Sequence, residues 1–255
     1  MVPLIILIII ILFAFYFFLN LNKSKTIQAE NLGIDSSLLI TNVLFYAELK
    51  EDEKKQFEND LHYFLEHTRI SGVDTAVEPL DKLLIASAAV IPIFYFKQWK
   101  YHNLQEVLLY SDAINMNFET KGSADRNILG MVGTGALEGS LLLSKHALRQ
   151  GFSNVADKHN TAIHEFIHLL DKSDGDTDGI PENLLDKQYV LPWLNLMHEQ
   201  MQQIAAGKSD IDAYGYTNKA EFFAVAAEYF FEQPALLQER HPQLYDILKE
   251  IFDKP

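Results

Sequence analysis

Cysteine is absent from the 255-residue chain, and basic residues are scarce relative to acidic ones. Without cysteine the chain can form no disulfide and no thiolate metal site, so any metal must be held by His, Asp, Glu or Tyr. The 21 Lys and Arg against 35 Asp and Glu give a formal net charge of −14. This balance argues against a nucleic-acid partner and against broad adhesion to anionic lipid, because both need clustered bases.

No Lys or Arg precedes the apolar run at residues 2–19, VPLIILIIIILFAFYFFL. A cleaved signal peptide would begin with a basic region and carry a shorter apolar run, whereas roughly 18 to 20 apolar residues span a lipid bilayer. Lys23 and Lys25 follow the run, and positive charge stays cytoplasmic. We therefore expect a single-pass protein of the inner membrane, with an anchor at 1–21, a linker at 22–40 and a cytoplasmic domain at 41–255.

The spacing of apolar residues in the rest of the chain predicts helices and a few short strands. Apolar residues recur at three and four between Glu48 and His67, which is typical of an amphipathic helix. Further helices are expected at Pro79–Ala89, at Lys158–Asp171, within Asn183–Ala206, at Asn218–Glu232 and over 234–252. Aromatic and aliphatic residues predict strands at 94–99, 106–112 and 140–144. Strands first and helices later indicate an α+β fold, mostly helical with a small sheet.

The segment HEFIH places His164 and His168 four residues apart, with Glu165 beside the first. Residues four apart share one face of a helix about 6 Å from each other, so both imidazoles can reach one Zn²⁺ ion. Glu165 lies about 100° around the helix, where it can reach a water bound to that ion and act as a general base. The alternative is an accidental match in a core helix, but unpaired polar groups among apolar neighbours are costly.

A catalytic zinc site usually takes a third protein ligand and leaves one position for water. Glu221 and Glu228 are seven residues apart, so both point the same way from one predicted helix. Glu221 could instead partner an N-cap at Asn218, and Glu228 could be an ordinary solvated residue. The residues alone do not choose between these two carboxylates.

Residues 44–255 resemble the Mlc titration factor family, which are zinc peptidases of the zincin class. The stretch that most specifically resembles the family is Asn160–Pro181, NTAIHEFIHLLDKSDGDTDGIP. Three further stretches resemble other blocks of the family: EFFAVAAEYFFEQP, DKLLIASAAVIPIF and LQEVLLYSD. The resemblance implies that Glu221, which opens EFFA, is the third metal ligand. It also implies a zinc cofactor and an aminopeptidase-like activity on short peptides.

The family's catalytic core is similar to that of the anthrax lethal factor protease, in which a tyrosine seven residues before the glutamate ligand assists the reaction. That spacing selects Tyr214, whose phenol could donate to the oxyanion on the scissile carbonyl. Tyr216 is the rival for this role. The strand Glu106–Asp112 is expected to form the sheet edge along which an extended peptide substrate lies.

Acidic residues follow the histidine motif. Asp171 lies three residues after His168 on the same side of the helix, so it could orient a ligand imidazole or pin the chain beyond it. The loop DGDTDG at 174–179 matches the start of a calcium loop, but Leu185 stands where a bidentate glutamate is needed. A turn-rich exit from the helix is therefore the favoured interpretation of this loop.

The sequence thus predicts a membrane-anchored zinc peptidase that acts on a peptide or protein substrate. The expected ligands of the Zn²⁺ ion are His164, His168 and Glu221, with Glu165 as base and Tyr214 as oxyanion donor. The alternative is a regulatory binding protein of the same fold that sequesters a transcriptional regulator, with structural or vestigial zinc. A structural membrane protein with an accidental motif is the third hypothesis.

Overall fold

The computed structural model describes residues 34–96, 99–118, 120, 127–154 and 156–253. The predicted anchor at residues 2–19 and most of the predicted linker at 22–40 lie outside these described residues and stay predictions. The first described helix begins at Ser36, ahead of the predicted domain start at residue 41, and a compact unit extends from there.

None of the helices in the described part of the chain combines the length and the apolar character needed to cross a membrane.

The described residues form an α+β arrangement, mostly helical with a small mixed sheet. The helices are α1 (Ser36–Asn42), α2 (Leu44–Glu48), α3 (Glu51–His67), α4 (Pro79–Val90), α5 (Lys145–Ser153), α6 (Thr161–Asp171), α7 (Lys187–Ala205), α8 (Lys219–Glu232), α9 (Pro234–Arg240) and α10 (Pro242–Phe252). The strands are β1 (Arg69–Val73), β2 (Glu106–Tyr110), β3 (Gly130–Val132) and β4 (Ser140–Ser144). Short 3₁₀ turns lie at Ile91–Ile93, Gly135–Leu137, Lys172–Asp174 and Ala213–Tyr216.

The sheet has the strand order β1-β2-β4-β3. Strands β1, β2 and β4 are parallel, and β3 pairs antiparallel with β4. The expectation that Glu106–Asp112 forms the sheet edge is wrong, because β2 is paired on both sides. Val107, for example, stands opposite Ile70 and Leu141. The nearly continuous apolar run EVLLY is typical of a strand buried on both faces of a parallel sheet.

The strand predicted at 94–99 is also wrong where the structure describes it. Phe94 continues from the 3₁₀ turn Ile91–Ile93 and is 2% exposed. Its ring packs against Phe57 of α3 at a centroid distance of 5.7 Å. The aromatic residues that suggested a strand therefore fill the space between helices, and tertiary packing has overridden β propensity.

Helices α6 and α8 cross in the core and carry the predicted site residues. Both begin at an asparagine N-cap: Asn160 accepts from Ile163 N at 3.1 Å, and Asn218 accepts from Glu221 N at 2.9 Å. Most of their apolar residues are buried, and Phe166 and Phe222 are fully so. Helix α6 packs against α8 and also against β3 and β4 of the sheet. Burial on nearly every side fixes the direction in which its few polar side chains point.

Gly179 ties the loop after α6 to the start of α8. Its backbone has φ = 77°, and a Cβ at this position would lie 2.3 Å from Lys219 O. The N–H of Gly179 donates to Asp171 at 2.8 Å, and its carbonyl accepts from the indole of Trp193 at 2.7 Å. Only glycine combines this left-handed conformation with so close an approach to another backbone.

We expect Gly179→Ala to lower the free energy of unfolding by about 3 kcal/mol or more, because it adds a backbone clash to the strain of positive φ. Gly207→Ala is the matched control, since Gly207 has φ = 65° with no neighbouring atom within 4 Å of an added Cβ. The control should cost only about 1 kcal/mol. Urea denaturation of both variants measures the difference, and equal losses would contradict the packing role of Gly179.

Candidate metal centre

Two helices bring the three predicted ligands together. Helix α6 presents the Nε2 atoms of His164 and His168, which are 3.0 Å apart. Glu221, in the first turn of α8, places its Oε2 atom 2.9 Å from His164 Nε2 and 3.2 Å from His168 Nε2. Among the described residues, these three side chains form the group that could hold a metal ion, with ligand atoms within 4.8 Å of one another.

The donor set and its spacing fit a zinc ion. Tetrahedral zinc with bonds of about 2.0–2.1 Å keeps its ligand atoms roughly 3.3 Å apart, and the three separations here approach that value. Two imidazoles and one carboxylate form a known type of catalytic zinc site, and this combination leaves a fourth position open. The alternative that Glu221 serves only the helix cap is wrong. Its backbone N–H engages Asn218, while its carboxylate turns to the histidines.

The electrostatics of the site favour a positive charge between the ligands. Burial lowers the pKa of His164, but hydrogen bonds to Glu221 and Glu228 outweigh this effect and raise it to about 10. Burial likewise raises the pKa of Glu221, yet the two histidines reverse this and lower it to about 2. The ionised carboxylate of Glu221 therefore suits either a protonated imidazole or a metal cation beside it.

Glu228, the other candidate for the third ligand, has a contact that sequence reasoning did not assign to it. It is 3% exposed, so the alternative that it is an ordinary solvated residue is wrong. One of its oxygens lies 2.6 Å from His164 Nδ1, and the other accepts from Asn160 N at 2.6 Å. A proton on Nδ1 leaves the Nε2 lone pair free for a metal, so Glu228 fixes both the tautomer and the orientation of the ring. The seven-residue spacing from Glu221 was the available signal, because it put both acids on one helix face.

Glu165 lies in α6 directly against the edge strand β3. The side chain is 7% exposed, and a Cβ added to Gly130 would lie 2.6 Å from its Cγ atom. Burial raises the pKa of Glu165, and the negative charges of Glu221 and Glu228 add to this effect against the opposing histidines. A carboxylate with raised pKa, next to a candidate metal position, is suited to accept and return a proton.

The structure separates Tyr214 from its rival Tyr216. The two residues are almost equally exposed, at 53% and 54%. Tyr214 lines the cleft that contains the metal ligands, and its ring centroid is 6.0 Å from that of His164. Tyr216 is not among the residues that line this cleft. Partial burial and the neighbouring carboxylates Glu221 and Glu165 raise the pKa of Tyr214, so its phenol stays a donor.

Asp171 is fully buried at the end of α6, where its Oδ2 atom accepts from Gly179 N at 2.8 Å. Of the two roles considered for it, the bond that pins the chain beyond the helix is the one present. Its Oδ1 atom and His168 Nδ1 are buried, and each lacks a hydrogen-bond partner among the described residues. Burial raises the pKa of Asp171 to about 6, although the bond from Gly179 opposes this rise.

The acidic loop satisfies its own backbone. Asp174 accepts from the N–H groups of Asp176 and Glu182, and Asp178 accepts from that of Ile180. Leu185, at the twelfth position of a calcium loop, is buried in the core. This arrangement is a turn-rich helix exit, as expected from the sequence.

The metal ligands lie in an open cleft of about 970 Å³. It is lined by the edge strand β3 with the residues before it, by the start of α8 and by the turn that contains Tyr214. Within the described residues, β3 pairs only with β4, and its three residues line this cleft. The cleft is therefore large enough for several residues of an extended chain.

Comparison with known proteins identifies relatives over most of the chain. The profile of the family described as "Glucose-regulated metallo-peptidase M90" matches residues 20–253. Mlc titration factor A of Escherichia fergusonii is 29% identical over 220 residues, which cover 82% of this chain and 82% of the relative. Mlc titration factor A of Edwardsiella ictaluri is 28% identical over 211 residues, covering 78% of this chain and 79% of the relative. The uncharacterized protein slr2042 of Synechocystis is 28% identical over 218 residues, covering 82% and 79%. The resemblance inferred from the motifs is confirmed.

Glu232, one helical turn after Glu228, is a buried carboxyl group with no direct bond to the ligands. It is 6% exposed, and neither of its oxygens has a hydrogen-bond partner in the described structure. Burial raises the pKa of Glu232 to about 8, and the charges of Glu228 and Asp157 add to the shift. The side chain of Asn160 opposes it only in part.

We expect Glu228→Gln to weaken metal binding by roughly 10- to 100-fold, because an uncharged partner supports the His164 imidazole less well. Competition with a chelator, followed by metal analysis, measures the change. Glu239→Gln, at an exposed position of α9, is the matched control and should bind metal as the wild type does. Unchanged affinity in Glu228→Gln would contradict the role of this carboxylate.

Glu232 also predicts a pH dependence of stability. In the folded protein the carboxyl group of Glu232 keeps its proton up to a pH of about 8, whereas an ordinary glutamate carboxyl group releases its proton at about 4.5. Unfolding therefore releases a proton in this window, and stability falls as the pH rises from about 4.5 to about 8. Glu232→Gln should remove this loss and be more stable than the wild type at pH 8, by on the order of 2 kcal/mol. Urea denaturation at pH 5 and pH 8 tests this, and a stability difference that does not change with pH would contradict it.

Proposed function

This chain belongs to the glucose-regulated metallo-peptidase M90 family, and from that premise we propose that it is a zinc-dependent peptidase. The observation that carries the proposal is the convergence of His164, His168 and Glu221 within 4.8 Å. The buried carboxylate of Glu165 lies beside this group, and Tyr214 lines the same cleft. The site thus combines metal ligands, a base and a hydrogen-bond donor, which together suit hydrolysis of a peptide bond.

A zinc ion here would be held by His164, His168 and Glu221, and it would supply Lewis acidity that lowers the pKa of a bound water toward about 7. Glu165 takes the proton from the attacking water and returns it to the leaving amine. The raised pKa of Glu165 suits this task, because the carboxyl group must hold the proton between the two steps. Tyr214 donates its phenolic hydrogen to the oxyanion that develops on the scissile carbonyl.

The cleft suggests how a substrate is held. An extended peptide can add as a further strand to the outer edge of β3, so that its backbone is recognised independently of its side chains. The close packing of Gly130 on Glu165 brings this edge next to the base. Asp178 also lines the cleft, and its carboxylate could pair with a substrate α-amino group, in keeping with an aminopeptidase-like activity on short peptides.

A regulatory role is the second candidate, and it is favoured by the names of the relatives. Two of the relatives above are named Mlc titration factor A, which describes them as titrating a partner called Mlc. A chain of the same family could bind a regulatory protein and keep its metal for structure. In that case partner binding would not depend on Glu165.

Membrane attachment belongs to the proposal as well. The apolar run at residues 2–19, followed by Lys23 and Lys25, supports an inner-membrane anchor with the peptidase domain on the cytoplasmic side. An anchored enzyme would meet substrates at the membrane surface. Protease accessibility of the full-length protein in spheroplasts and in inverted vesicles reports this orientation.

Glu165→Gln is expected to keep the bound metal but to lower kcat/KM for peptide hydrolysis roughly a hundredfold or more, because the amide cannot act as a general base. Glu199→Gln, at an exposed position of α7, is the matched control and should retain full activity. Metal content and the release of new amino groups from a peptide mixture are measured side by side. Turnover retained by metal-loaded Glu165→Gln would refute the mechanism.

A further inference from the structure

Tyr214 occupies the cleft without extensive packing around its side chain. It is 53% exposed, and it lies in a single 3₁₀ turn, Ala213–Tyr216. A half-exposed aromatic side chain on so short an element is not fixed by burial. Apart from the contacts of its side chain with His164 and Glu221, its distance from the metal ligands therefore depends on how the backbone of this turn is held.

Asp212 anchors the turn directly. Its Oδ1 atom accepts from Tyr214 N at 2.7 Å, and its carbonyl accepts from Gly215 N at 3.1 Å. Its Oδ2 atom lies 3.2 Å from His159 Nε2. His159 immediately precedes Asn160, the N-cap of α6, so this contact links the Tyr214 turn to the start of the helix that carries the histidine ligands.

Asp210 makes a second link two residues earlier. Lys158 donates to the carbonyl of Asp210 at 2.6 Å and to its carboxylate at 3.2 Å. The same carboxylate accepts from Tyr229 at 2.8 Å and from Arg240 at 2.8 Å, and it lies 2.7 Å from the ring of His241. Lys158 has φ = 63°, so the turn before α6 adopts a left-handed conformation where it reaches Asp210.

Two residues just before α6, Lys158 and His159, thus contact Asp210 and Asp212, which precede Tyr214. We propose that this clamp, formed by Lys158, His159, Asp210 and Asp212, positions the Tyr214 phenol relative to the metal ligands. The four residues are positioning residues, since they act through Tyr214 and not on the substrate. The inference rests on the proposed function, because it assigns a purpose to the location of Tyr214.

The test compares Asp212→Ala and Asp212→Asn, alone and combined with Tyr214→Phe. Asp212→Ala removes the acceptor for Tyr214 N and should lower kcat by the same factor as Tyr214→Phe, roughly 10- to 100-fold, with little change in KM and unchanged metal content. Asp212→Asn keeps an acceptor oxygen and should retain most of the activity. In the Tyr214→Phe background, Asp212→Ala should lower kcat by a further factor of less than roughly two, because both changes remove the same contribution of the Tyr214 phenol.

Hydrogen exchange of the peptide covering 209–217 gives a readout that does not depend on activity. Asp212→Ala should lose protection at the Tyr214 amide, whereas Asp212→Asn and the exposed control Asp246→Ala should keep it. The proposed clamp would be contradicted if the kcat losses of Asp212→Ala and Tyr214→Phe multiply in the double variant. Loss of metal in Asp212→Ala, or unchanged protection of its Tyr214 amide, would contradict it as well. Normal turnover in Tyr214→Phe would overturn it too, while the proposed function would still be judged separately by Glu165→Gln.

Discussion

The pairing of His164 with two carboxylates of α8 is the interaction on which the site depends. Glu221 reaches one ring nitrogen at 2.9 Å, and Glu228 reaches the other at 2.6 Å. A buried imidazole is costly without partners, and two buried carboxylates are costly without a positive charge between them. Each group therefore makes the burial of the others tolerable. A metal cation at the Glu221 side would complete this balance of charge, and such a balance explains why a largely apolar helix contains these polar residues.

The rest of the domain holds α6 and α8 in the register that this pairing needs. Asparagine caps fix where each helix begins, and Glu228 also accepts from the first cap residue, so the two helices share a hydrogen-bond network. Behind the site, Gly179 joins Asp171, Trp193 and the backbone of Lys219. In front of it, the clamp before α6 holds the Tyr214 turn. Helix α6, the start of α8 and the Tyr214 turn, which carry the candidate site residues, are thus each fixed by polar contacts.

The same architecture accounts for both candidate functions. An open cleft beside β3, whose outer edge has no partner strand among the described residues, suits recognition of an extended backbone, which is the geometry that hydrolysis requires. A regulatory partner could use the same surface, since strand addition is also a mode of protein association. The buried carboxyl group of Glu165 favours the enzymatic function, because its burial against β3 costs stability and its raised pKa would suit proton transfer.

The sequence by itself determined the helix that carries His164, Glu165 and His168, because a four-residue spacing on a regular helix fixes which side chains share a face. It also determined most helices and the α+β class, and the family resemblance selected Glu221 as the candidate third ligand. Only the tertiary structure decided that Glu228 is buried against His164, that Tyr214 rather than Tyr216 lines the cleft, and that β3 lies at an edge of the sheet whereas β2 does not. Local periodicity constrains the geometry within one element, whereas strand order and inter-helix contacts arise from packing among segments distant in the chain.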